Sequence, residues 1–157
     1  MGKYTEDELW EIVEDLEWKN AKSQKRYHIT ISKKLIKKYF YDIEEIQIFV
    51  RSKRKQIKDF LKEWQNEQNS RFNNHYHLGS DDGFWDLTAH IVGLGKKVYN
   101  SVLIHPKKAS DMALEHNYVE NFEYSFEMKH NDELTELYKQ QKKLEERKRK
   151  LNNNIKN

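Results

Sequence analysis

The stretch that decides the fold is Ser80 to Phe126, SDDGFWDLTAHIVGLGKKVYNSVLIHPKKASDMALEHNYVENFEYSF. Phe84, Thr88, Ile91, Gly95, Val98 and Val102 recur at steps of three and four, and Leu87, Tyr99 and Leu103 widen the stripe into a face fit for burial. The spacing predicts a helix beginning near Phe84, capped by Asp82 and ended by His105-Pro106. Gly93 and Gly95 interrupt it at ~1 kcal/mol each against alanine, so they mark a kink or the close approach of another element. Pro106 suits the first turn of a further helix that carries Ala109, Met112 and Ala113 on a short apolar face. For Tyr118 to Phe126 the helix and strand readings balance.

Working outward toward the amino end, Thr5 and Glu8 form a capping box, with Tyr4 placed to staple onto Leu9. Leu9, Ile12, Val13 and Leu16 make one apolar face, and seven acids between Glu6 and Glu17 make the other strongly negative. Trp10 and Trp18 fall at the margins of the stripe, so one of them is expected to be partly exposed. Tyr27, Ile29 and Ile31 alternate with polar residues as a short strand does, with Ile46 to Val50 or Phe122 to Phe126 as its partner. Ser32 then caps a short helix, KKLIKKYF. Asp42 and Glu45 are a second capping pair, opening a long helix whose register of Ile43, Ile46, Val50, Ile57, Phe60, Leu61 and Trp64 runs toward Gln68. Asn66 to Asp82 is polar and asparagine-rich and reads as a long loop.

Toward the carboxy end, Leu134, Leu137, Gln141, Leu144, Lys148, Leu151 and Ile155 alternate three and four apart as an imperfect heptad seam. The expected architecture is therefore mainly α: a compact bundle of five or six helices, with a small β-hairpin or ribbon as a possible addition. Residues 1–130 form one helical domain, and 131–157 form an amphipathic helix that docks on the body or on a second copy.

Composition narrows the function classes. Of 157 residues, 36% are apolar and 35% charged, while 4 Trp, 9 Tyr and 7 Phe argue against wholesale disorder. Without cysteine there is neither a disulfide nor a thiolate zinc site, which suits a reducing cytoplasm. No apolar run approaches the ~18 residues of a membrane span, and MGKYTEDELW is too acidic and polar for a signal peptide. The expectation is a soluble cytoplasmic protein with no membrane partner and no cofactor.

The charge is segregated. Lys33, Lys34, Lys37 and Lys38 share a short helix, and Arg51, Arg54, Lys55, Lys58 and Lys62 project as one stripe. Lys139, Lys142, Lys143 and Arg147 to Lys150 follow near the end. Such faces neutralise phosphates, with arginine able to make bidentate contacts. They also suit the acidic face at Glu11, Glu14 and Asp15, within the fold or across a dimer. Lys33 to Lys62 has, in addition, a weak likeness to a helix-turn-helix.

Other constellations are weaker. GLGK at Gly93 to Lys96 lacks the remaining residues of a phosphate loop, since His90 and Lys97 stand where Gly and Ser or Thr are required. His75, His77, Asp81, Asp82 and His90 form a cluster with metal-ligand chemistry but no fixed motif. Ser101 and Ser110 have no nucleophile setting.

The lysine- and asparagine-rich composition, the small size and FWDLTAHIVGLGKKVY (Phe84 to Tyr99) resemble small uncharacterised proteins of bacteriophages and mobile elements, the size class that includes anti-CRISPR and other anti-defence inhibitors. The resemblance implies a non-enzymatic inhibitor, in the host cytoplasm if phage-encoded, that engages a host protein or nucleoprotein through charged helix faces. The alternatives are a dimeric DNA-binding regulator, closed through the C-terminal helix, and a metal-dependent enzyme centred on His75 to His90.

Overall fold

The computed structural model describes residues 2–156, and it is built around the helix that the central stretch predicts. Ser80, two residues earlier than expected, is the cap: its Oγ accepts the Gly83 N–H at 3.2 Å, and α4 runs Asp81–Gly93 with Asp82 in its first turn. From Leu87 to Gly93 every residue of α4 is buried, which makes it the central helix. It lies against the long α3, Ile43–Phe72, whose Ile46, Val50, Ile57 and Leu61 are buried in the same core.

Both glycines act as breaks or contacts, and they cut the expected single helix in two. Gly95 has φ +105°, which L side chains rarely adopt, so the chain turns there and restarts as α5, Lys96–Ile104. Gly93 lies against the Trp18 indole: a Cβ would meet the ring carbon Cδ1 at 2.6 Å. His105 follows α5, and α6 spans Lys107–Leu114 after Pro106.

At the amino end α1, Glu6–Asp15, has the full Thr5–Glu8 capping box. Trp10 and Trp18 are both buried, against the expectation for one of them, because the turn of 3-10 helix at Trp18–Ser23 folds Trp18 back onto α4. There Trp18 packs on Phe122 and Tyr27.

The strand expected at Tyr27 is helix. α2 spans Tyr27–Lys38, and Tyr27, Ile31 and Leu35 are buried at steps of four, so the apolar residues that alternate also satisfy the helical period. Ser32 is interior and not a cap: its Oγ reaches the His28 carbonyl at 3.0 Å and the Ser125 carbonyl at 2.6 Å. The two other candidate strands are also absent. Ile46 to Val50 is within α3, and Phe122 to Phe126 ends in a 3-10 turn, Glu123–Phe126, with Phe122 and Phe126 buried. Among the described residues there is no strand, and seven α-helices replace the five or six expected.

Asp42 stands at the cap of α3 and Glu45 in its first turn, as expected, but Asp42 makes no side-chain capping bond and the pair serves another purpose. The Asp42 carboxylate accepts the Tyr4 hydroxyl at 2.7 Å, and Glu45 accepts the N–H groups of Lys3 and Tyr4 at 3.1 and 3.0 Å, so together they pin the amino-terminal arm. α3 also runs to Phe72, shortening the expected loop to 73–80. That loop folds back along the helix, with Trp64 and Tyr76 stacked at 4.7 Å and Gln65 Nε2 donating to the Tyr76 carbonyl at 2.8 Å.

The last helix, α7, spans Asp132–Lys156. Asn131 caps it, its Oδ1 accepting the Leu134 N–H at 3.1 Å. It runs alongside α2, with Leu134 buried, Lys33 paired to Glu133 at 2.8 Å, and Phe40 against Tyr138 at 5.0 Å. Beyond that the seam leaves the body: Leu144 is 45% exposed, Leu151 61% and Ile155 81%.

Candidate functional site

Most of the charged residues marked by the sequence are used inside the fold. Asp15 faces both Lys38, at 2.7 Å, and Lys34, at 3.5 Å, and also accepts the Tyr39 hydroxyl at 2.5 Å. The hydrogen bonds from Lys38 and Tyr39 hold the Asp15 carboxyl below its ordinary value, while burial and the bond to Asp15 push the Tyr39 hydroxyl up to about 12. Lys33 pairs with Glu133. Glu14 accepts the Lys96 N–H at 3.3 Å, placing a carboxylate over the start of α5 where a phosphate-loop reading would put a phosphate. Glu11 and Lys37 stay exposed.

The stripe on α3 divides. Arg54 is 8% exposed, its Nε 2.8 Å from Glu123 Oε2 and its guanidinium carbon 3.4 Å from the Trp85 ring centroid. It belongs to the buried edge of α3, adjoining Val50, Ile57 and Leu61, and not to a free surface. Arg51 lies 3.8 Å from both Glu123 and Glu127, and Lys62 sits 4.9 Å from the Phe84 ring. Lys55 is exposed and Lys58 half-buried.

The histidines do not converge either. His75 and His77 are exposed, and His75 contacts Asn73. His90 is buried on α4, where its Nδ1 accepts the Trp18 indole N–H at 2.9 Å and the Val119 N–H at 3.2 Å. Asp82 lies in the first turn of α4. Among the described residues no three His, Cys, Asp or Glu side chains are placed to hold a metal ion.

The excess of cations over acids lies in α7. Its 25 residues carry eight of the chain's 29 cations and five of its 26 anions, so the rest of the chain balances at 21 and 21 and the formal charge of +3 resides in this helix. Projected at about 100° per residue, Lys139, Lys142, Lys143, Arg147, Arg149 and Lys150 occupy a sector of about 160° opposite the seam. All six are exposed; Glu146 is the one acid in the sector from Lys139 to Lys150, with Glu136 and Asp132 in it nearer the start of the helix. Lys148 lies in the seam itself, 3.6 Å from Glu145. Good helix formers fill these positions, and the acids Asp132 and Glu133 in the first turn complement the helix dipole.

One flank of this cationic face meets an aromatic groove of about 1010 Å³ between α7, the end of α2 and the start of α3. Phe40, Tyr41 and Tyr138 line it, with Tyr41 51% and Tyr138 38% exposed, and Lys139, Lys142 and His130 stand among them. Arg149 reaches across to the Tyr41 ring at 4.6 Å. Aromatic rings interleaved with exposed cations offer stacking surfaces beside charge. Sequence reasoning marked the α7 cations but not Phe40, Tyr41 or Tyr138. The available signal was the Phe40-Tyr41 pair just past the α2 lysines, of which the helical period places Phe40 on the apolar side of KKLIKKYF and leaves Tyr41 in the turn that follows.

Among the described residues no helix is long and apolar enough to cross a membrane. Residues 4–143 match a family model described as "Protein of unknown function (DUF4240)". The match takes in the groove and the first α7 lysines and stops before Leu144. No curated protein and no solved structure matches the chain.

Proposed function

We infer that this chain, which belongs to the DUF4240 family, is a non-enzymatic binding protein that engages single-stranded nucleic acid, free or within a nucleoprotein, along α7 and its aromatic groove. The observation that carries this reading is the flanking of half-exposed Tyr41 and Tyr138 by unpaired cations on one helix face. Lysines and arginines track phosphates, and the rings stack bases without regard to sequence. The charged-face binding expected from sequence is kept, but its site moves from α2 and α3 to α7. The anti-defence role rests on the resemblance alone and would be one setting for such binding.

Competition between a labelled single strand and a duplex of equal length tests the groove. The single strand should win, and Tyr41→Ala should weaken its binding by ~1–3 kcal/mol, the worth of one stacked base. Equal competition by the duplex, with Tyr41→Ala neutral, would remove the groove from the site.

The seam favours a second reading, self-association. Leu144, Leu151 and Ile155 continue the heptad beyond the body, and Gln141 and Lys148 stand at intervening core positions. A parallel pair would oppose Lys148 to its own copy, so the geometry favours an antiparallel one. Truncation after Lys143 should then lower the mass measured by light scattering; an unchanged mass would show the seam to be unpartnered.

A further inference from the structure

A second cleft, of about 630 Å³, opens between α3, α4 and the 3-10 turn Glu123–Phe126, and shares only Glu127 with the lining of the groove beside α7. Its chemistry is opposite in sign. Arg51 and Arg54 are set against Asp82, Asp86, Glu123 and Glu127, two cations against four acids.

The arginines are engaged with the two glutamates: Arg54 with Glu123, and Arg51 with both. Asp82 and Asp86 are left without a cation. Asp82 stands three residues before Trp85 and four before Asp86, about one helical turn, so all three line the cleft from the same side of α4. Asp86 accepts only the Asn121 N–H, at 3.3 Å, and burial raises its carboxyl above the ordinary value, as it does for Glu123.

The aromatic part is equally specific. Trp85 is 46% exposed although the Arg54 guanidinium already covers it at 3.4 Å, and Tyr124 is half-exposed in the same cleft. Arg54 itself is more than nine-tenths buried, and its Nε has no aligned hydrogen-bond acceptor despite the 2.8 Å approach to Glu123. An indole that stacks one guanidinium, beside two carboxyls with no cation of their own, is a recognition surface for that same chemistry.

We propose that this cleft binds an organic cation, a guanidinium or primary ammonium group, against Trp85 and Tyr124 with Asp82 and Asp86 as its counter-charges. The group belongs either to a free small molecule or to a basic side chain of a peptide. The site is independent of the α7 surface and stands or falls separately from it.

Calorimetric titration with arginine amide tests it, with citrulline amide as the neutral isostere and a glycine-flanked arginine peptide as the third probe. Arginine amide should bind with Kd of about 1 mM or tighter, and citrulline amide at least about tenfold more weakly. Asp82→Asn with Asp86→Asn should lose about tenfold while the melting temperature holds. Asp82→Asn alone, at an exposed position, gives a smaller loss in the same direction should the double variant fold poorly. A peptide that binds more tightly than the amide identifies a peptide source; equal binding identifies a free cation. Failure of arginine amide to bind, equal binding of the two amides, or parent-like affinity in a folded variant would overturn the proposal.

Discussion

Lys38 Nζ lies 2.7 Å from the Asp15 carboxylate, joining a residue of the basic patch on α2 to one of the acidic patch on α1. Each reads from sequence as an outward-facing site, and each satisfies the other within the fold. Asp15→Asn would keep the shape but lose the charge that holds Lys34, Lys38 and the Tyr39 hydroxyl. Because the pair is partly exposed, solvent screening limits the cost to about 1 kcal/mol, read as a lower midpoint in urea denaturation. Nucleic-acid affinity should not change.

Arg54→Glu should destabilise far more, by ~3–5 kcal/mol, because it sets a like charge against Glu123 in a buried position and removes the stack on Trp85. Lys55→Glu, one residue on and exposed, should stay within about 0.5 kcal/mol. Chemical denaturation of the two variants checks this; equal midpoints would contradict the burial of Arg54.

The contrast between Arg54 and Lys55 shows how far the sequence is legible. Helical spacing found α1, α3, α4 and α7, because apolar residues at three and four mark a buried face whatever the fold. It misplaced Arg54 because a long cationic side chain at the edge of that face is buried only if another element supplies a carboxylate, and Glu123 is 69 residues away. The strand at Tyr27 failed for a related reason: in a stretch this short the two periods share residues, and tertiary packing of Ile31 and Leu35 decides between them. Gly93 was read correctly as a contact or kink, but its partner, Trp18, is fixed only by the turn of 3-10 helix. In the candidate site the cations of α7 were legible as composition. The groove was not, since Phe40, Tyr41 and Tyr138 meet only when α7 lies along α2.

His90 provides a pH dependence. Burial, with the nearby Lys22 charge adding to it, lowers its pKa from 6.5 to about 4. Between those values the unfolded chain binds a proton that the folded chain does not, so the stability this neutral histidine permits is complete above about pH 6.5 and falls as pH drops toward 4. The loss amounts to about 3 kcal/mol. His28, also lowered by burial, acts in the same sense, whereas Glu123 and Asp86, raised by burial, oppose it. His90→Gln keeps an acceptor for Trp18 and isolates the effect: its stability should decline less between pH 7 and 4 than the parent's in parallel melts. Identical profiles would show that His90 takes up its proton in the folded state as readily as in the unfolded one.

The claim that α7 is the interface is tested most directly by the salt dependence of binding. Fluorescence anisotropy of a labelled oligouridylate would be recorded over a salt series for the parent and for Lys139→Glu, Lys142→Glu and Lys143→Glu combined. All three positions are exposed and off the seam, so the melting curve should hold. Each phosphate contact on a single strand contributes about 0.7 to the slope of log K against log salt, so loss of three should flatten it by about 2. Absence of binding by the parent at low salt, or a folded triple variant with the parent's affinity and slope, would contradict the account.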